Sequence, residues 1–193
     1  MEDVYSADIK KESNNASVRY FMDQARWEKP LLWFPALRFM RYKRNCEKWR
    51  GRCRPMYLLA YCRYYRMKIK YGLDIPAQTK IGGGFRIEHI GGIVINPGAV
   101  IGENCNIYNG VTIGAEKRGA RKGNPVIGSC VWMGANCVIV GNIMIGDNVL
   151  IAPGAYVNFD VPSGSIVIGN PGKVIASAHA TDDYIKFKTG AEL

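Results

Sequence analysis

The sequence has 193 residues, 48% of them hydrophobic, and a formal net charge of +10. That length is typical of one domain with an appendage and is ample for a buried core. No uncharged apolar run reaches the roughly 20 residues that a membrane-spanning helix needs, and the polar, charged start of the chain does not look like a signal peptide. These features lead us to expect a cytoplasmic protein rather than a membrane-spanning or secreted one.

The positive charge and the aromatic residues are concentrated near the N-terminus. Residues 1–72 hold 17 Lys and Arg against 7 Asp and Glu, together with 14 of the 21 aromatic residues. We expect a tail over 1–17 and then helices from Tyr20 to Tyr71, divided by prolines. Along the last of these, residues on one helical face are apolar, and cations take another face. The apolar set is Leu58, Tyr61, Cys62, Tyr65 and Ile69, and the cations are Arg63, Arg66 and Lys70.

This basic, aromatic region has three interpretations. It can cover the rest of the chain or a neighbouring subunit, or it can meet an acidic or phosphorylated substrate or the headgroups of a membrane surface. Nucleic acid is the third, but no helix-turn-helix, zinc-finger or RNA-binding signature occurs. We therefore expect no nucleic-acid partner and leave the other two open.

From residue 75 onward, aliphatic residues recur with a period of six. Such a period is too short for a helical repeat and fits a short strand followed by a tight turn. Three of these strands form one triangular coil, and stacked coils bury a continuous aliphatic column. Thirteen positions follow the period: Ile75, Ile81, Ile87, Ile95, Ile101, Ile107, Ile113, Ile127, Met133, Ile139, Ile145, Ile151 and Val157.

The period is interrupted twice. Two extra residues separate Ile87 from Ile95, and this stretch contains His89, one of only two histidines in the chain. Eight extra residues separate Ile113 from Ile127, and the polar, basic stretch 115–124 between them cannot enter an aliphatic column. Projecting loops on a rigid scaffold often carry function. The two interruptions are therefore candidate parts of one site.

The repeat, with "IGGGFRIEHIGGIVINPGAVIGENCNIYNGVTIG" and the closing "IGNPGKVI", resembles the left-handed β-helix hexapeptide acyltransferases, and more closely their serine O-acetyltransferase branch. The resemblance covers residues 73–176. It implies a mainly β fold, a left-handed parallel β-helix, preceded by the small helical region of residues 1–72 and followed by a tail over 177–193. It also implies acetyl-CoA as cosubstrate and a homotrimer with each site between neighbouring β-helices.

The same resemblance implies roles for three residues in the first interruption and before it. His89 corresponds to the general base, Asp74 to the carboxylate that supports it, and Glu88 to the acidic residue that precedes the histidine. The chemistry is sound because an imidazole can take the proton of a hydroxyl, and a carboxylate on its other nitrogen fixes the tautomer. No metal is expected, since the carbonic anhydrases built on this fold need three histidine ligands.

For acetyl-CoA, the resemblance points to small residues of the later coils that let the pantetheine arm approach the backbone. The cofactor-binding candidates are Thr112, Gly114, Gly134, Ala135 and Ala152, with Lys173 for the CoA phosphates. Turn geometry explains each small residue as well. Lys117, Arg118, Arg121 and Lys122 are further candidates for the phosphates.

The sequence departs from the serine enzymes in the residues that hold the acceptor. Their Arg-His pair falls here on Gly123 and Asn124, so the arginine that grips a carboxylate is absent. We therefore expect an acceptor that is a sugar hydroxyl in surface polysaccharide biosynthesis, with Asn124 and Arg121 as substrate-binding candidates. The alternative is serine O-acetyltransferase of cysteine biosynthesis, with Arg121 or Lys122 replacing the missing arginine. A catalytically silent scaffold is a third interpretation, against which His89 argues.

Overall fold

The computed structural model describes residues 35–185, which form two helices followed by a solenoid of short strands. The predicted tail over 1–17 and the predicted helix before Pro35 lie outside these residues, as do residues 186–193. The helices are α1 (Pro35–Trp49) and α2 (Arg54–Tyr71). The strands are β1 (Leu73–Asp74), β2 (Lys80–Ile81), β3 (Arg86–Ile87), β4 (Ile93–Ile95), β5 (Val100–Ile101), β6 (Asn106–Ile107), β7 (Thr112–Gly114), β8 (Val126–Ile127), β9 (Trp132–Met133), β10 (Val138–Val140), β11 (Met144–Ile145), β12 (Val149–Ile151), β13 (Tyr156–Val157), β14 (Ser165–Ile168) and β15 (Lys173–Ala176).

The strands stack into three sheets that form the faces of a triangular prism. Sheet A has the order β1-β4-β7-β10-β13, sheet B has β2-β5-β8-β11, and sheet C has β3-β6-β9-β12-β14-β15. All pairings between these strands are parallel except that of β14 with β15. From β1 to β13, successive strands of the chain therefore lie on successive faces, and each coil stacks on the one before. The predicted β-helix is confirmed.

The strand register shows the two interruptions directly. Leu73 pairs with Ile93 in the neighbouring strand, and Val94 pairs with Thr112. The first two partners are two residues further apart along the chain than the second two. Thr112 in turn faces Val138, a separation eight residues longer than that between Val94 and Thr112. A regular coil of three hexapeptides thus gains two residues at the first interruption and eight at the second. The first extra pair lies in the turn between β3 and β4, and the second insertion lies between β7 and β8.

All thirteen positions of the predicted aliphatic column are buried. The small or β-branched residues four positions later, such as Cys105, Val111 and Val131, are buried as well. The column members with no exposed surface include Ile107, Ile113, Met133, Ile139 and Ile151. The prediction of one continuous interior column is therefore confirmed.

Helix α1 closes the open end of the solenoid through buried cations. Arg44 donates from Nη1 to the carbonyl of Ile81 at 2.8 Å and from Nη2 to the carbonyl of Gly82 at 2.7 Å. Lys43, fully buried, donates to the carbonyl of Thr79 at 2.8 Å and pairs with Glu47. The first coil has no coil beneath it, so these side chains satisfy carbonyls that would otherwise lose their partners on burial.

We expect Arg44→Leu to lower the free energy of unfolding by about 1–3 kcal/mol, because the substitution leaves two buried carbonyls without donors. Denaturant unfolding at matched protein concentration measures the change. Lys48→Leu, at an exposed position of the same helix, is the control and should leave the midpoint unchanged. If Arg44→Leu and the natural sequence have equal unfolding midpoints, the hydrogen bonds of Arg44 do not stabilise the end of the solenoid.

Helix α2 packs with a different face from the one that the apolar spacing suggests. Ala60, Tyr64 and Met67 are its buried residues. The predicted apolar face is exposed instead, with Leu58 at 52% and Ile69 at 64% of their full surface. Helical spacing places these two sets on opposite sides. None of the helices in residues 35–185 is long and apolar enough to cross a membrane.

Candidate active site

His89 lies on the turn between β3 and β4, at the edge of the prism where sheet C meets sheet A (the C–A edge). Gly91 and Gly92, with φ of 117° and 64°, give this turn a backbone that other residues rarely adopt. Gly92 lies between Gly72 on the coil below and Gly110 on the coil above. A Cβ added to Gly72 would lie 3.5 Å from the backbone nitrogen of Gly92, and a Cβ added to Gly92 would lie 3.5 Å from the Cα of Gly110. The two extra residues therefore widen the turn and leave the His89 side chain exposed.

The imidazole of His89 is positioned by an aromatic neighbour. Its ring centroid lies 5.2 Å from that of Tyr108, with the rings edge to face at 69°. Within residues 35–185, no hydrogen bond or ion pair involves its ring nitrogens. The imidazole is thus packed against one aromatic ring and otherwise exposed, so a substrate can reach it.

Asp74 lies in β1, one coil below His89, and its carboxylate makes an ion pair with Lys68 of α2 at 2.5 Å between Nζ and Oδ1. The Asp74 side chain is 59% exposed. Residues 35–185 contain no hydrogen bond between Asp74 and His89. The structure thus places the two residues on adjacent coils without joining them, and the supporting role of Asp74 stays a prediction.

Glu88 points along sheet C. Arg86 Nη2 lies 2.7 Å from Glu88 Oε2, and Asn106 donates to Oε1 at 3.2 Å. The Glu88 side chain is only 15% exposed. These contacts fix the carboxylate, which suits orienting the turn better than moving a proton. Partial burial and the nearby negative charge of Glu88 raise the pKa of the Tyr108 phenol above its usual range.

Sequence reasoning missed the aromatic residues that continue from His89 along sheet C. Tyr108 is followed by Trp132, at 4.9 Å between ring centroids, and Trp132 by Tyr184, at 4.7 Å. We call His89, Tyr108, Trp132 and Tyr184 the aromatic ladder. A signal for them was present in the sequence. At two neighbouring strands of sheet C, a large aromatic residue stands next to the interior position: Tyr108 beside Ile107, and Trp132 beside Met133.

The end of the described chain, 177–185, packs on sheet C. The hydroxyl of Thr181 donates to Asn148 Oδ1 at 2.6 Å, and the amide of Asn106 donates to the carbonyl of Tyr184 at 3.4 Å. Ile185 is buried in a cluster with Trp132 and Leu150. This part of the predicted tail therefore packs against Trp132 and contributes Tyr184 to the aromatic ladder. His179 is exposed and pairs with Asp182.

The cofactor candidates fall into two sets. Gly134, Ala135 and Ala152 lie at turns of the C–A edge, on coils above His89, and Thr112 begins β7 beside that edge, whereas Gly114 ends β7 on the side of the A–B edge. A Cβ on Gly134 would lie 2.6 Å from the backbone nitrogen of Pro153, so packing alone requires glycine there. Lys173 begins β15 and is exposed on sheet C at the far end of the solenoid. Thr112, Gly134, Ala135 and Ala152 therefore form one strip along the edge that begins at His89, and Gly114 lies apart from it.

The acceptor candidates lie elsewhere, at the edge between sheets A and B (the A–B edge). Loop 115–124 is closed by Glu116 and Gly123, which exchange two backbone hydrogen bonds of 3.0 Å. The carbonyl of Arg121 accepts from the backbone of Asn142 at 2.8 Å. The Asn124 side chain covers Gly98, where a Cβ would lie 2.5 Å from Nδ2. Within one chain, Arg121 and Asn124 are thus on a different edge from His89.

Comparison with known proteins identifies the family. The profile described as "Bacterial transferase hexapeptide (six repeats)" matches residues 124–158. The crystal structure of serine acetyltransferase from Neisseria gonorrhoeae is 31% identical and superposes with a TM-score of 0.74, covering 98% of this chain and 71% of that one. The chain belongs to the hexapeptide-repeat acyltransferases. Within that family, its similarity is to the serine acetyltransferase branch.

Further relatives of this hexapeptide-repeat acyltransferase carry the same name. Serine acetyltransferase 2 of Arabidopsis thaliana is 38% identical over 134 residues, which is 69% of this chain and 42% of that protein. The Neisseria gonorrhoeae enzyme solved in complex with serine is 35% identical, with a TM-score of 0.71 over 90% of this chain and 68% of that one. The enzyme of Brucella abortus solved in complex with coenzyme A is 27% identical, with a TM-score of 0.74 over 90% and 67%. This chain thus spans less than half the length of the plant protein.

The prediction of a sugar hydroxyl in surface polysaccharide biosynthesis is wrong. The relatives and solved neighbours are serine acetyltransferases, one of them in complex with serine. They support the alternative, a serine acceptor. The physical error was to treat Gly123 and Asn124 as the place where a carboxylate must be held, whereas here Gly123 stacks on Asn142 and Asn124 covers Gly98.

Proposed function

We propose that this hexapeptide-repeat acyltransferase is an acetyl-CoA-dependent serine O-acetyltransferase that serves cysteine biosynthesis, with His89 as general base. The observation that carries the proposal is the exposed imidazole of His89 at the one turn where the coil gains two residues, in a chain similar to enzymes solved with serine and with coenzyme A. Acetyl-CoA is the cosubstrate. We propose the cytoplasm as the place of the reaction, since the cytoplasm supplies acetyl-CoA.

The reaction is a direct transfer between two substrates. A hydroxyl is too weak an acid to lose its proton unaided at neutral pH, and an imidazole can accept that proton as the oxygen attacks. The serine oxygen bonds to the thioester carbonyl carbon, and the resulting tetrahedral intermediate expels the CoA thiolate. The imidazolium returns its proton to the thiolate. Backbone N–H groups in the glycine-rich turns are the expected donors to the oxyanion.

Three residues would assist that step from nearby positions. Tyr108, whose ring packs against that of His89 at 5.2 Å between centroids, would help to position the imidazole. Glu88, fixed by Arg86 and Asn106, maintains the turn. Asp74 can support the imidazolium only after it exchanges its contact with Lys68, and we propose that this exchange accompanies substrate binding. These roles separate the proton acceptor from the groups that position it.

Acetyl-CoA would lie along the C–A edge. Ala135 and Ala152 are only partly buried on successive coils, so a ligand can approach the backbone there, and Thr112 continues this strip on sheet A. Lys173 lies at the far end of the solenoid, where its ammonium group can meet a phosphate. A ligand on this strip runs parallel to the prism axis and brings its thioester toward His89.

We propose a homotrimer whose sites are shared between subunits. His89 lies on the C–A edge and loop 115–124 on the A–B edge of the same prism, so one chain cannot present both to one serine. Around a threefold axis, the C–A edge of one subunit can face the A–B edge of the next. Arg121 or Lys122 of the projecting loop would then supply the positive charge for the serine carboxylate.

The acceptor is tested by incubating the purified chain with acetyl-CoA and following the free CoA thiol. We expect thiol release that depends on L-serine, with little release for L-threonine or for water alone. Boiled protein is the control for spontaneous thioester hydrolysis. Release with no dependence on serine would contradict the proposed acceptor.

A further inference from the structure

The outward side of α2 carries a stripe of large apolar residues that the described chain leaves uncovered. Leu58, Tyr65 and Ile69 are 52%, 48% and 64% exposed. Tyr61 belongs to the same stripe, and its ring stacks on that of Tyr65 with 6.2 Å between centroids. Exposed apolar patches of this kind mark interaction surfaces in water-soluble proteins. The stripe is opposite the buried face of the helix, so it projects away from the solenoid.

Positive charge flanks this stripe. At about 100° per residue, Arg63, Arg66 and Lys70 lie on one flank of the stripe, and Lys68 lies on the other. Helix α2 contains no acidic residue at all. Lys68 is engaged with Asp74, whereas Lys70 lies over the ring of Tyr71 at 5.4 Å. An apolar centre between cationic flanks is the arrangement of helices that lie in the interface of an anionic bilayer.

A groove between α1 and α2 adjoins the same cations. Its volume is about 680 Å³. It is lined by Arg38, Arg63, Arg66 and Lys70 together with aromatic rings that include Tyr42 and Tyr65. Long cationic side chains can keep their charge in water while their stems lie along apolar surface. The groove is therefore suited to lipid phosphate groups at the level of the apolar stripe.

Charge argues against a second copy of the helix as the occupant. In a twofold contact the same patch occurs on both sides. Two α2 helices would then bring together ten cations and no acidic residue from either helix. Such a contact would lack charge complementarity, whereas a surface of anionic headgroups supplies it.

We propose that α2 lies on an anionic lipid surface, with Leu58, Tyr61, Tyr65 and Ile69 in the headgroup boundary and Arg63, Arg66 and Lys70 on lipid phosphates. The solenoid, and with it His89, then faces away from the bilayer, since it packs on the opposite side of α2. This surface is independent of the acetyl transfer reaction.

The test is co-sedimentation of the full chain with vesicles. Vesicles of phosphatidylcholine with phosphatidylglycerol should bind the chain, those of phosphatidylcholine alone should not, and added salt should weaken the binding. Arg63→Glu with Arg66→Glu should lower the partition coefficient at least about tenfold. Lys117→Glu with Arg118→Glu, the same change of net charge on loop 115–124, is the matched control and should bind nearly as the natural sequence does.

A second pair of variants separates a lipid surface from a protein partner. Leu58→Ser with Ile69→Ser should also lower vesicle binding, while the size of the protein in solution, measured by sedimentation velocity, stays the same. If that pair changes the oligomeric state instead, α2 is a contact between chains and the proposal fails. It also fails if the natural chain does not sediment with phosphatidylglycerol vesicles at low salt.

Discussion

His89→Ala should abolish nearly all acetyl transfer. General-base assistance contributes roughly 10²–10⁴-fold to such reactions, and no other imidazole lies on the C–A edge among residues 35–185. The loss should appear in kcat, because the small residues proposed to hold acetyl-CoA are untouched. Steady-state rates of CoA release with saturating L-serine measure it.

The controls for that variant are its binding of coenzyme A and its size in solution, which the proposal expects to be that of a trimer. Both should be the same as for the natural sequence. Asp74→Asn should lower turnover less than His89→Ala does, since Asp74 would act through the imidazole. If the kcat of His89→Ala is near normal, His89 is not the general base of the reaction. A variant that no longer binds coenzyme A would show that the side chain has a structural role instead.

Two inactive variants should restore activity to each other if the site is shared between subunits. One is His89→Ala. In the other, Lys117–Lys122 is replaced by Asn-Gly, which can close the shortened hairpin because Glu116 and Gly123 already pair across it. In any trimer that contains both kinds of chain, one site of three combines an intact His89 with an intact loop. Activity of about a third of the natural level is therefore expected for mixed trimers.

The measurement uses co-expression with two different affinity tags and sequential purification on both. Trimers with both tags but only His89→Ala chains are the control and should stay inactive. Equal inactivity of the mixed trimers would contradict a shared site, because a site within one chain cannot be restored by mixing.

The solenoid is predictable from sequence because its interior repeats. Each coil buries residues at fixed intervals, so the burial of Ile113 and Met133 follows from counting. The interruptions are equally countable, and the register of Leu73 with Ile93 shows the first of them directly. In a solenoid each coil contacts only its neighbouring coils, so the spacing of residues along the chain predicts where they lie in the structure.

What spacing alone does not predict is the set of contacts between elements far apart in sequence. Tyr184 reaches Trp132 only because the last described residues turn back over sheet C. The apolar spacing of α2 indicates a helix but not which side packs, and the packing of Tyr64 decides that.

The acceptor was mispredicted for a related reason. The sequence interpretation takes Gly123 and Asn124 only as positions where the arginine that holds a carboxylate is missing, and their role in stacking the coils is visible only in three dimensions.

The most direct test of the central claim is to follow the acetyl group itself. Acetyl-CoA labelled with ¹³C at the acetyl carbonyl is incubated with L-serine and the full chain, and carbon NMR records which compound carries the label. The label should move from the thioester to the oxygen ester of serine, at a rate that falls roughly 10²–10⁴-fold in His89→Ala. Label that stays on CoA, that appears only as acetate, or that reaches serine equally fast without His89 would contradict the account.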